Sequence, residues 1–146
     1  MDALELLKQD HEKVKELFEE VEGTEEPEQK KEIFKQIKKE LETHARIEEG
    51  VFYPAMEKFE ELKDMVRESY AEHKQIKTLL REIEESGDNE EFEAKLQDLQ
   101  ENVEHHAEEE EEGKMFPQVR ELIDEAELEE LGQELETAKG KRSKAA

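Results

Sequence analysis

Apolar residues along this chain recur every three or four positions, the spacing that lines one face of an α-helix, in four successive segments. The first predicts a helix from about Asp2 to Glu22, with Leu4, Leu7, His11, Val14, Phe18 and Val21 on its inner stripe. Gly23-Thr24-Glu25-Glu26-Pro27 then stops and restarts the chain, with Pro27 in a first turn where its missing N–H costs little. The second helix carries Ile33, Ile37, Leu41, His44, Glu48, Phe52, Ala55 and Phe59, bent or locally opened at Pro54. The third, from about Glu61 to Glu85, sets Val66, Tyr70, His73, Ile76, Leu80 and Ile83 on one side before Ser86-Gly87-Asp88-Asn89 breaks it. The fourth starts near Glu90 with Phe92, Leu96, Leu99, Val103 and His106, and resumes after an acidic run with Met115, Val119, Leu122 and Ile123. A last short helix over about Ala126 to Ala138 and the basic tail Lys139-Gly140-Lys141-Arg142-Ser143-Lys144 cap the assembly or fray. Short turns make neighbouring helices antiparallel. The pattern therefore predicts an all-α fold, an up-down-up-down antiparallel four-helix bundle over residues 1–125 with a short C-terminal helix and tail over 126–146.

Composition narrows this picture. A chain of 146 residues suits one domain, and with 46% charged against 33% hydrophobic residues its core must be a set of narrow stripes. Their periodicity argues against a disordered acidic chain. A net charge of -23 opposes nucleic acid and anionic membrane surfaces as partners and favours cations. The absence of cysteine removes disulfides, thiolate zinc sites and iron–sulfur clusters, leaving nitrogen and oxygen as metal donors. No signal-like start and no apolar run of about 18 residues are present, so the expected location is cytoplasmic.

The inner stripes also carry chemistry. A lone histidine on an apolar face is ordinarily a core residue with one hydrogen-bond partner. Here His11, His44, His73 and His106 fall on four successive helices, each well inside its helix, so that antiparallel packing can bring them into one layer. That is a metal-site geometry. A charged glutamate in a core is unfavourable unless paired or bound to a cation, and Glu48 stands one turn after His44 on the same face. Helix four repeats the arrangement with His106 followed by Glu109, Glu110 and Glu111. Counted from the histidine, Glu110 has the spacing of Glu48; counted back from Met115-Phe116-Pro117, the counterpart of Phe52-Tyr53-Pro54, Glu111 has it. Continuing from Glu110 leads to Gly113, Pro117 and Arg120, which cannot line a core, whereas Glu111 leads to Met115, Val119 and Leu122. The slip of one residue predicts a π-type bulge near Glu108 to Glu111, with Glu111 the first choice as ligand and Glu110 the alternative. The surrounding glutamates read as a solvated acidic face.

From about Leu4 to Ile123 the chain resembles the hemerythrin-like family, also called the HHE cation-binding domain. The matching pieces are Gln9-Asp10-His11, His44-Ala45-Arg46-Ile47-Glu48-Glu49 with Phe52-Tyr53-Pro54, Ala71-Glu72-His73-Lys74, and His105-His106 with the glutamate run and Phe116-Pro117. The resemblance implies two iron ions bridged by two carboxylates and an oxo or hydroxo group, with manganese or a mixed pair as alternatives. It casts His11, His44, His73 and His106 as terminal ligands and Glu48 with Glu111 or Glu110 as bridges. The oxygen-carrying members place a further histidine four residues after the helix-three ligand; here that residue is Lys77. A site with fewer protein ligands leaves positions for O2, NO or H2O2. His105 is a substitute ligand only if it overcomes its orientation, about 100° from His106 on a regular helix, and Tyr70 is a candidate hydrogen-bond donor one turn before His73. Two functions follow from the resemblance: a protein that binds O2 or NO or senses iron or oxygen, and a di-iron redox enzyme acting on hydrogen peroxide, nitric oxide or ferrous iron.

Overall fold

The computed structural model describes residues 1–87 and 90–145, so Asp88 and Asn89 of the expected interhelical break lie outside the described residues. Helix α1 (Ala3–Glu22) opens on a reciprocal cap: the Glu5 N–H donates to Asp2 Oδ1 at 2.9 Å and the Asp2 N–H donates to Glu5 Oε1 at 3.1 Å. It stops at Gly23, and α2 (Pro27–Ile47) restarts with its proline in the first turn. The chain continues through a π segment (Glu48–Phe52) into α3 (Tyr53–Met56), a 3-10 turn (Glu60–Leu62) and α4 (Lys63–Ser86). Then α5 (Glu90–Glu104) leads through a longer π segment (His105–Met115) into α6 (Phe116–Leu122), and α7 (Glu125–Ala145) closes the chain. Among the described residues there is no strand, and no helix is long and apolar enough to cross a membrane.

The arms are thus α1, α2 with α3, α4, and α5 with α6, packed as an antiparallel bundle in which α1 lies on α2 and α4 on α5. Two of the arms widen at the same kind of place. Pro54 and Pro117 stand four residues after Gly50 and Gly113, and a proline ring in a helix collides with the carbonyl four residues back. Widening the turn by one residue relieves that conflict: the Tyr53 N–H donates to the Glu48 carbonyl and the Phe116 N–H to the Glu111 carbonyl, five residues back in each case. The second π segment is longer than the bulge expected near Glu108 to Glu111, and the first was foreseen as a bend or local opening at Pro54. Phe59, expected on the helix-two stripe, lies beyond the end of α3 and precedes the 3-10 turn.

Buried apolar residues form two clusters. One holds Val14, Phe18, Phe34, Ile37, Leu80, Phe92 and Leu99 at the end of the bundle where α1 turns into α2; the other holds Leu4, Leu7, Phe52, Met56, Val66, Met115 and Val119 at the opposite end. Helix α7 joins the second cluster through Leu128, Leu131 and Leu135. It runs on to Ala145 instead of ending near Ala138, since only Gly140 interrupts a run of good helix formers. Gly132 lets it cross the start of α1, because a Cβ there would collide with the Met1 carbonyl oxygen.

Candidate metal centre

Between the two apolar clusters lies one polar layer. His11 comes from α1, His44 from α2, Glu48 from the start of the first π segment, His73 from α4, and His106 and Glu111 from the second π segment. Glu48 and Glu111 have 0% exposure, a setting in which a carboxylate requires a partner of opposite charge. Helical spacing puts Glu48 one turn after His44, while the wide π turn lets Glu111, five residues after His106, return to the same side. The same register carries Glu110 out of the layer, into a group with Glu72 and His105.

The six inner residues form two overlapping sets of donors. His11, His44, Glu48 and Glu111 make one, and Glu48, His73, His106 and Glu111 the other, with ligand atoms in each set within 4.8 Å of one another. Both carboxylates belong to both sets. Each histidine turns Nε2 inward: His11 to 3.2 Å from Glu111 Oε1, His44 to 3.2 Å from Glu48 Oε1, His73 to 2.9 Å from Glu48 Oε1, and His106 to 3.3 Å from Glu111 Oε2. Yet His11 Nε2, His44 Nε2, Glu48 Oε2 and Glu111 Oε1 are buried without a hydrogen-bond partner. Metal–ligand bonds of roughly 2.0–2.2 Å place neighbouring donors about 3.0–3.4 Å apart, so these spacings fit donors that share a cation. His73 Nε2 and His106 Nε2, 3.0 Å apart, make the same point, since two imidazole lone pairs at that distance repel unless a proton or metal ion lies between them.

The outer nitrogens are held by a closed ring of carboxylates. His11 Nδ1 meets Glu112 at 2.5 Å, His44 Nδ1 meets Asp10 at 3.0 Å, His73 Nδ1 meets Glu49 at 2.7 Å, and His106 Nδ1 meets Glu72 at 2.6 Å. Each of these acids is the sequence neighbour of a different inner residue: Asp10 of His11, Glu49 of Glu48, Glu72 of His73, Glu112 of Glu111. Neighbours on a helix diverge by about 100°, so one side chain points to the centre while the next reaches round to the histidine of the adjoining arm. Such carboxylate–histidine pairs leave Nε2 free to bind metal and fix the ring's orientation. Of these acids only Glu112 lay in the run read as a solvated face; Asp10, Glu49 and Glu72 stood in the family-matching pieces with no role assigned, because an acid beside an inner residue is a weak signal in so acidic a chain.

The Hemerythrin HHE cation binding domain family matches residues 2–119. The chain belongs to this family. A crystal structure of a Hemerythrin HHE cation binding domain-containing protein from Mycobacterium kansasii, an Rv2633c homolog, superposes with a TM-score of 0.82 at 29% identity, over 97% of this chain and 89% of that one. A curated relative from Nostoc sp. (strain PCC 7120 / SAG 25.82 / UTEX 2576), named DNA nickase, is 32% identical over 142 residues. The match takes in 97% of this HHE chain but spans only 40% of the length of that relative.

Within the HHE layer, burial opposes charge on the histidines, but the carboxylates prevail. Glu48 and Asp10 raise His44 to about 10, and Glu111, Glu48 and Glu72 hold His106 well above its ordinary value. Burial likewise opposes charge on Glu48, yet His44, His106 and His73 keep it well below the usual carboxylate range. Tyr53, which sequence reasoning did not single out, belongs to the layer. Its hydroxyl donates to Glu111 and lies 3.2 Å from both Glu48 Oε1 and His73 Nε2 and 3.4 Å from His106 Nε2. Burial, Glu111 and Glu48 push this phenol far above its ordinary value, so it stays protonated. Lys77 stays outside, its Nζ 3.2 Å from Glu49, and Tyr70 packs edge-on against Tyr53 with ring centroids 5.3 Å apart. Beside the imidazoles lies a cavity of about 30 Å³ with Val14, Leu41, Ile76 and Val103 in its walls.

Proposed function

We propose that this HHE domain holds two iron ions and binds O2, NO or a related small molecule there, or senses iron or oxygen through them. The observation that carries the reading is the pair of four-donor sets sharing Glu48 and Glu111. On this reading His11 and His44 would hold one ion and His73 and His106 the other, with Glu48 and Glu111 available to both and Glu110 outside. Imidazole and carboxylate also accept manganese, so a mixed pair is compatible with the same donors. When bound, the ions supply open coordination positions and one-electron redox chemistry. The chain's own residues do the rest. The carboxylate ring fixes each imidazole, Tyr53 directs a proton toward Glu111 beside the His73–His106 half, and the cavity of about 30 Å³ has room for one water-sized or diatomic molecule. A net charge of -23 opposes a phosphate backbone, so the nickase name of the longer relative is not extended to this chain.

A second reading, a di-iron redox enzyme acting on hydrogen peroxide, nitric oxide or ferrous iron, draws support from the Tyr53 hydroxyl, a proton donor inside the layer. Elemental analysis and the visible spectrum of protein produced with added iron test the shared premise. About two irons per chain in the wild type, lost in Glu48→Ala, is the expected result; wild-type protein that folds and retains no transition metal refutes it. Steady consumption of peroxide by the iron-loaded wild type selects the enzyme, and stoichiometric binding without turnover selects the carrier or sensor.

A further inference from the structure

His105 lies next to His106 in sequence but on the outer side of the bundle, half exposed, and it repeats the construction of the inner histidines. Its Nδ1 is held by Glu109, 2.5 Å away and one turn further on. Its Nε2 then stands 3.4 Å from Glu72 Oε2 and 3.5 Å from Glu110 Oε1, and the three ligand atoms fall within 4.8 Å of one another. Both carboxylates are largely covered, with side-chain exposures of 18% and 11%. We propose that His105, Glu72 and Glu110 form an outer cation site that takes one divalent transition-metal ion from solvent and stands at the entrance to the buried centre.

One imidazole nitrogen and two carboxylate oxygens suit Mn2+, Fe2+, Co2+ or Zn2+, whereas Ca2+ and Mg2+ prefer oxygen alone. Three protein donors leave positions for water, as an exchanging site requires. Lys114 Nζ, 3.1 Å from Glu110 Oε1, is the cation to be displaced; it is mostly exposed and can turn into solvent. The link inward is Glu72, whose Oε1 holds His106 Nδ1 at 2.6 Å while Oε2 faces His105. An ion captured outside therefore shares a carboxylate with the residue that orients an inner histidine. Five of the six inner residues are buried, and His105 offers a half-exposed donor beside them. The entrance role rests on the buried layer being the metal centre; the outer site does not.

Equilibrium dialysis against Co2+ with elemental analysis counts the ions, and stopped-flow absorbance follows the loading of the buried centre. Wild type should bind one ion more per chain than His105→Ala or Glu110→Gln. His105→Ala should load the buried centre about 10-fold more slowly, as loss of local cation concentration predicts, and reach the same final inner occupancy. His105 is exposed, and far-UV circular dichroism verifies that its variant folds. Equal ion counts in wild type and both variants overturn the outer site, and an unchanged loading rate overturns its entrance role. His44→Ala protein that still binds every ion the wild type binds refutes the buried centre while leaving the outer site standing.

Discussion

Tyr53 sits where a single atom decides the balance of the polar layer. Its hydroxyl is the donor that Glu111 Oε2 receives from within the layer's apolar surroundings, and its ring is packed between Phe52, Tyr70 and His73. Tyr53→Phe keeps the ring and removes only that donor. The metal-free protein should lose about 1–3 kcal/mol, the usual penalty for leaving a buried acceptor unsatisfied, as read by urea unfolding of chelated protein. His44 gives a second prediction. Its folded value of about 10 exceeds the ordinary 6.5, so its contribution to metal-free stability is complete below about 6.5 and is lost as pH rises toward 10. Glu48 is shifted the other way, and its contribution is present above the usual carboxylate value of 4.5 and lost on acidification. The urea midpoint of chelated protein should therefore fall between pH 6 and pH 9, and a rising midpoint would contradict the assignment. Metal must displace these protons, so binding should tighten over the same interval. Much of the residue-level pattern could be read from the chain, because an inward histidine on a polar, periodic helix stands out. Asp10, Glu49, Glu72 and Glu112 could not, since with 45 acidic residues an acid beside any given position carries almost no information.

At the scale of elements, the helices were legible because apolar spacing reports a period directly, and the slip between His106 and Glu111 betrayed the second π segment. The first read only as a bend or local opening at Pro54, because His44 and Glu48 keep ordinary helical spacing and the widening starts at Glu48 itself, where Glu-Glu-Gly before an aromatic-proline pair recurs in both arms. The reach of α7 was illegible for a different reason: a helix that packs at the mouth of a bundle needs few apolar residues, and Leu128, Leu131 and Leu135 suffice. This helix touches the centre through a chain of contacts, Lys139 Nζ on Asp10 and Asp10 Oδ2 at 3.0 Å from His44 Nδ1, while Arg46 Nη2 donates to the Ala138 carbonyl at 3.2 Å. Lys139→Met should weaken metal binding about 10-fold, the lower range for loss of an outer-shell partner, in a chelator competition assay. Gly132→Ala tests the same element from its other end, since the added methyl group must push α7 off the Met1 backbone. It should reproduce the loss of affinity and also expose α7 to proteolysis; wild-type affinity in both variants would show that α7 does not bear on the centre.

The whole molecule is a stack of three parts: an apolar cluster, a polar layer and a second apolar cluster to which α7 adds. The middle part holds the buried histidines and glutamates, and it draws a chain of net charge -23 together around buried carboxylates. Removing the cations should therefore act unevenly. Binding at 1,000 times the dissociation constant stabilises a folded state by about 4 kcal/mol, so chelation should lower the melting temperature, and more so at low salt, where self-repulsion is least screened. The cluster of Phe18, Phe34, Ile37, Ile83 and Phe92 supplies no donor to the layer and should keep its slow amide exchange. The π segments rest on the layer directly, because the carbonyls of Glu48 and Glu111 accept the wide-turn bonds while their side chains serve the centre. Hydrogen exchange measured before and after chelation should thus rise first at Glu48–Phe52 and His105–Met115, then in α7, and last in α4 and α5. A uniform rise would mean that the molecule opens as one unit and that the layer couples the two apolar clusters instead of separating them.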